Sequence, residues 1–253
     1  MNYRYGNKAQ WRRWVWNRIA ERITQRSDAV VMFLPGKDAL DIPIAENNGF
    51  RRRNMIAIER DAATVTKLRK MGIATIDGDL REVLRGWPPA RPVAAVHADL
   101  CCGLEGSVLL ALAGATGKNE AFGHTTFAVN LLRGRDASFT PIRAVLNRER
   151  GAPEKHRGYL LLGTIVAMAV LGIEDHQEQV NLAVRLHQMF NPKFSSYKSN
   201  SSTQYFDSVV FSNPMGDIRV MTELPYESDA NVGAPIRRKI AATLAHRTRG
   251  TYA

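Results

Sequence analysis

Residues 29–38 read AVVMFLPGKD, six apolar residues stopped by Pro35-Gly36 and followed by charge. A short apolar run closed by a turn is the mark of a strand buried on both faces. The pattern repeats along the chain. NMIAIE at 54–59, IATI at 73–76, VAAVHA at 93–98 and TFAVNLL from Thr125–Thr126 to Leu132 are further strands, with helical stretches between them. Lys37–Asn47 reads as a helix closed by Asn48-Gly49, Asp61–Met71 as a helix ended at Gly72, and Leu80–Leu84 as a short helix. The stretch 106–115 supplies the next. Strands alternating with helices predict a parallel, doubly wound sheet.

Beyond the fifth strand, Gly158–Ile173 is an apolar helix, too short and too interrupted at Gly163-Thr164 to cross a bilayer. Ser195–Ser202 is rich in Ser and Asn and reads as a loop. Tyr205–Ser212 and Asp217–Leu224 read as a hairpin turning at Asn213-Pro214-Met215-Gly216. The sum is a mostly parallel, seven-stranded α/β sheet with a C-terminal antiparallel hairpin. A basic tail from Pro235 forms a terminal helix.

Residues 1–27 stand apart in composition. Seven basic groups face Glu21 alone, and Trp11, Trp14, Ile19 and Ile23 suggest one apolar helical stripe. The segment reads as a basic, Trp-rich helix or arm before a single domain at 28–253. The whole chain has 35 Lys+Arg against 24 Asp+Glu, a net charge of +11, which favours a polyanionic partner. Arg12, Arg13 and Arg18 could meet phosphates while Trp16 stacks on unpaired bases. The other reading is a helix that docks on the domain. Cys101 and Cys102 are the two cysteines, and their adjacency suits neither a disulfide nor a zinc site. That spacing, with no secretory signal or membrane span, points to a cytoplasmic protein without metal. The oligomeric state is not encoded in any pattern of this kind.

In an open parallel sheet, ligands bind beyond the carboxyl ends of the strands, where strand order reverses. Gly36 follows the first strand and lets backbone approach a ligand. Glu59 ends the second strand, where a carboxylate can take both hydroxyls of a ribose. Asp61 suits the start of the next helix instead. Asp79-Leu80 follows the third strand; Asp79 can accept from the exocyclic amine of adenine while the Leu80 amide donates to a ring nitrogen. Turn-plus-cap is the competing role for Asp77-Gly78-Asp79. Asp99 ends the fourth strand. The dinucleotide fingerprint GxGxxG is absent, and Gly114–Lys118 lacks the spacing of a phosphate loop.

Taken together, these strand ends and the closing hairpin resemble the class I, Rossmann-like, S-adenosylmethionine-dependent methyltransferases. The resemblance is carried by residues 30–105, and the first loop departs from it, with Pro35-Gly36-Lys37-Asp38 replacing the usual spaced glycines. It implies S-adenosylmethionine as cofactor, with Gly36 beside its methionine portion, Glu59 on the ribose, Asp79 and Leu80 on the adenine, and Asp99 bordering methyl transfer. Joined to the net charge of +11, it gives transfer to a nucleic acid or a nucleic-acid-associated substrate as the first reading. The alternatives are a catalytically inactive methyltransferase-like protein that binds nucleic acid and, third, a nicotinamide-dependent oxidoreductase. The Asn/Asp-Pro-Pro-aromatic and Pro-Cys acceptor patterns are missing.

Overall fold

The computed structural model describes residues 6–100, 120–132, 195–198, 206–212 and 234–249. The helices expected at 106–115 and 158–173, the basic stretch 143–157, the strand at 217–224 and both cysteines lie outside them. After helix α1 (Gly6–Glu21) come β1 (Val31–Phe33), α2 (Asp41–Asn47), β2 (Met55–Glu59), α3 (Ala62–Lys70), β3 (Ala74–Asp77), α4 (Leu80–Gly86) and β4 (Ala95–Asp99). They are followed by β5 (Thr126–Leu132), β6 (Ser195–Lys198), β7 (Phe206–Ser212) and α5 (Ala234–Arg249).

The strands form one sheet in the order β3-β2-β1-β4-β5-β7-β6. Pairing is parallel from β3 through β5, and β7 runs antiparallel to both β5 and β6. Strand order reverses between β1 and β4, the first strand pairing on one side with β2 and on the other with β4. That reversal opens a crevice above the carboxyl ends of β1 and β4.

Two expectations are corrected here. The strand Phe206–Ser212 has its partners in β5 and in Ser195–Lys198, a segment read from composition as a loop. Two serines and a lysine around one tyrosine make a poor strand signal alone, but an edge strand is set by the ladder beside it, where Tyr197 meets Ser208 and Lys198 meets Asp207. The helix expected from Lys37 starts only at Asp41. Gly36 and Ala39 both have positive φ, at 61° and 51°, and two left-handed residues interrupt any helix before Leu40.

Local capping behaves as the residues dictate. Asp61 caps α3, its carboxylate accepting from the Thr64 amide at 2.9 Å and from the Thr64 hydroxyl. Those bonds hold its pKa below the usual carboxylate range. Gly72, at φ 76°, closes the same helix.

On one face of the sheet, Trp11, Val15, Trp16 and Ile19 of α1 join Phe33, Phe50, Met55, Ala57 and Leu68 in a single apolar cluster. α1 also lies against α2, β5 and β7. At the opposite end, α5 covers the edge strand β3 and packs on α4, with Ile236 and Ile240 buried. A methyl group on Gly78 would come within 2.8 Å of Ile236 Cδ1, so a larger residue there would push that side chain aside. Covering β3 removes an edge that would otherwise pair with another chain.

Candidate functional site

The carboxyl ends of the strands bring a row of polar side chains to one rim. Glu59 pairs in register with Asp77, and Asp99 with Asn130. The β1–α2 turn, Pro35–Leu40, sits between these two pairs, above the point where strand order reverses. Gly36 is exposed, and a side chain built there would meet nothing within 4 Å, so its backbone is open to close approach.

Glu59 is half-buried, and its Oε1 accepts from the amides of Arg60 at 2.7 Å and Asp61 at 3.0 Å. Two backbone donors on one oxygen set the carboxylate's orientation. Asp99 is oriented from the neighbouring strand: Asn130 Nδ2 donates to its Oδ1 at 2.6 Å, while the Leu100 amide donates to the Asn130 carbonyl at 3.1 Å.

Asp79 lies at the start of α4. It caps α4, accepting from the Arg81 amide at 2.8 Å, and both of its oxygens also take the Arg81 guanidinium. Arg60 adds a contact at 3.3 Å to Oδ2. The carboxylate is thus committed to the cap and two arginines, the competing role its sequence context allowed. The Arg81 bonds hold its pKa below the usual range. The Leu80 amide opens α4, in the first turn, where a helix supplies no acceptors of its own.

Because the folded pKa of Asp79 lies below the unfolded one, its contribution is complete at neutral pH and is lost as pH falls through the folded value. Asp79→Ala is expected to cost about 1 kcal/mol, the usual worth of an N-cap. Urea midpoints should show that deficit at pH 7 and a smaller one near pH 3.

The four residues assigned to nucleic acid do not share a surface. Trp16 is fully buried and Arg12 is 6% exposed, so neither can stack on a base or meet a phosphate. Trp16 Nε1 donates to Asp41 Oδ1 at 2.9 Å, and Arg12 Nε lies 3.5 Å from Asp41 Oδ2. A buried carboxylate draws both inward, since an uncompensated charge there is costly. Arg13 is exposed, and Arg18 is partly exposed and paired with Glu21 at 2.7 Å. The inner rows of α1 are therefore Trp11-Val15-Ile19 and Arg12-Trp16-Ala20, and Trp14 is only partly buried.

Asp41, buried with Arg12, Trp16 and His97, was not anticipated from the sequence. His97 Nδ1 is 3.6 Å from Asp41 Oδ1, and the rings of Trp11 and Trp16 stand 5.6 and 5.5 Å from the imidazole. Burial raises the pKa of Asp41, opposed by His97, Arg12 and the Trp16 hydrogen bond. Asn130 was missed as well, although an amide inside the apolar run TFAVNLL is a visible signal. Among the described residues no group of three or more His, Cys, Asp and Glu could hold a metal ion, and no helix is long and apolar enough to cross a membrane.

No protein-family profile matches the sequence, and no curated protein matches it. Solved structures do. The O-methyltransferase TomG from Streptomyces achromogenes, in complex with S-adenosylmethionine, is 11% identical, with 81% of this chain and 80% of that one covered and a TM-score of 0.40. A structure described as a putative rRNA-methylase from Clostridium thermocellum is 13% identical, covering 80% and 93%, with a TM-score of 0.40. Human methyltransferase-like protein 13, with S-adenosylhomocysteine, is 14% identical, covering 98% and 96%, with a TM-score of 0.38. The strand order and pairing described above carry the fold assignment: a Rossmann-like α/β sheet of five parallel strands with helices between them.

Proposed function

We propose that the chain transfers a methyl group from S-adenosylmethionine to a nucleic acid or a nucleic-acid-associated substrate. The observation that carries this reading is the rim itself. An open glycine backbone at Gly36 stands between a backbone-oriented carboxylate at Glu59 and an amide-oriented carboxylate at Asp99, all above the strand-order reversal.

These residues fit the cofactor's chemistry. Glu59 has one oxygen tied to backbone amides and a second to offer to a ribose diol. Gly36 would lie against the methionine portion, the Leu80 amide would face a ring nitrogen of the adenine, and Asp79 would border that ring while capping α4. The cofactor supplies an activated methyl on a sulfonium. The protein holds donor and acceptor in line and excludes water. Asp99, held by Asn130, would orient the acceptor or take its proton.

The net charge of +11 supports a polyanionic acceptor. With Arg12 and Trp16 inside the core, the exposed candidates are Arg13, the arginines Arg51 and Arg53, and Arg237 and Arg238 on α5. We read residues 28–253 as one domain with α1 built into it, and a cytoplasmic setting as the one that suits it. The second reading is a methyltransferase-like binder without activity. It is favoured by one observation, the commitment of Asp79 to Arg81 and Arg60.

Calorimetry with S-adenosylmethionine, S-adenosylhomocysteine and NAD separates the readings. Binding of both adenosyl ligands and not NAD is expected; binding of neither would favour the inactive binder. Asp99→Asn is expected to bind S-adenosylmethionine like the parent and to lose most transfer in a radiolabelled-methyl assay on RNA and DNA. Equal turnover in the two proteins would remove Asp99 from the site.

A further inference from the structure

The Pro35–Leu40 turn has little to hold it from within. Its internal bonds run from the Ala39 amide to the Gly36 carbonyl and from the Ile42 amide to the Ala39 carbonyl, both 3.2 Å. Ala39 is nearly fully buried at φ 51°, a left-handed conformation that costs a residue with a Cβ about 1–2 kcal/mol. Such a conformation persists only where surrounding structure enforces it.

That enforcement comes from both ends of the turn and meets at His97. The Leu34 amide, at the entrance, donates to the His97 carbonyl at 3.2 Å. At the exit, Asp41 lies 3.6 Å from the His97 ring and is gripped from α1 by Trp16 at 2.9 Å and Arg12 at 3.5 Å. From outside, Lys67 Nζ donates to the Lys37 carbonyl at 2.7 Å. Asp41 is 2% exposed, so its partners act without competition from water.

We propose that Asp41 is a positioning residue: clasped by Trp16 and Arg12 of α1 and by His97 of β4, it locks the turn that carries Gly36 into the shape a ligand needs. This makes the N-terminal helix part of the binding site's framework. The ligand part of the proposal rests on the adenosyl reading above. The locking of the turn does not.

Hydrogen exchange on the full chain, followed by mass spectrometry, tests the locking. Trp16→Phe deletes the indole N–H and keeps an aromatic ring. It is expected to speed exchange in peptides covering 34–42 by roughly ten-fold relative to those of β2, the effect of a lost hydrogen bond to a charged acceptor. Asp41→Ala should do the same or more, and Asp41→Asn, which keeps an acceptor for the indole but removes the counter-charge of Arg12, should fall between the parent and Asp41→Ala. Ile19→Val, equally buried on α1, is the control for packing and should show no selective effect. An unchanged turn, or the same uniform acceleration in Trp16→Phe and Ile19→Val, overturns the proposal.

The second arm measures S-adenosylhomocysteine affinity, expected to be roughly ten-fold weaker in Trp16→Phe and close to the parent in Ile19→Val. A loosened turn with unchanged affinity would overturn the role in ligand positioning. A parent that binds no adenosyl ligand would strike the cofactor reading, and the exchange arm would still decide whether Asp41 locks the turn.

Discussion

Trp16→Ala is expected to destabilise the protein by about 3–5 kcal/mol, the usual range for truncating a buried tryptophan. Trp16 is fully buried, with Phe33 and Phe50 ring centroids 6.1 and 5.7 Å away, and its indole holds Asp41. Truncation would open a cavity and leave a buried carboxylate short of a donor. For the same reason, removal of the residues before Ser27 should abolish folding instead of releasing a free arm. Charge reversal at Arg12 should be severe, because it would face Asp41 with a second negative charge in a dry site. The same reversal at exposed Arg13 should change stability by no more than about 0.5 kcal/mol. Urea unfolding of the three variants checks this. A Trp16→Ala midpoint equal to the parent's would mean that α1 does not belong to the core.

Glu59→Ala is expected to weaken S-adenosylmethionine binding by about ten- to a hundred-fold, the loss of a hydrogen-bonded charged acceptor worth roughly 1.5–3 kcal/mol. Its orientation is set by the Arg60 and Asp61 amides, so the ligand meets a carboxylate already in place and loses little entropy in ordering it. The residue lies at a strand end and its partners are local backbone groups, so the variant should fold, which circular dichroism would confirm. Calorimetric titration reads the affinity. An unchanged dissociation constant in the folded variant would move the ribose away from β2. Asp79→Ala should weaken binding less, because its carboxylate is already shared between the α4 cap and two arginines.

The parallel half of the sheet was legible because its signals are local. A strand buried on both faces must be apolar throughout, and the turns that end it must contain residues such as Gly36 or a helix-capping Asp61. Runs such as VMF in β1 and MIAIE in β2 show this directly, and each lies within the stretch read as a strand. The same logic placed Glu59 and Asp99 at strand ends. The end of a strand in a parallel sheet is both a feature of local pattern and a position on the rim.

What the amino-acid sequence determined by itself was thus the alternation of strand and helix, the acids at the strand ends and the acid that starts α3. Tertiary structure alone decided which face of α1 turns inward, because Arg12 and Trp16 are recruited by a carboxylate 29 and 25 positions further on, and no periodicity within the helix encodes that partner. It also decided the partner of β7. A polar edge segment such as Ser195–Lys198 becomes a strand only when a neighbouring ladder supplies its hydrogen bonds. Local propensities are weak beside the cost of a buried unpaired charge or an unfilled backbone ladder, and those costs are set by residues that meet only once the chain has folded.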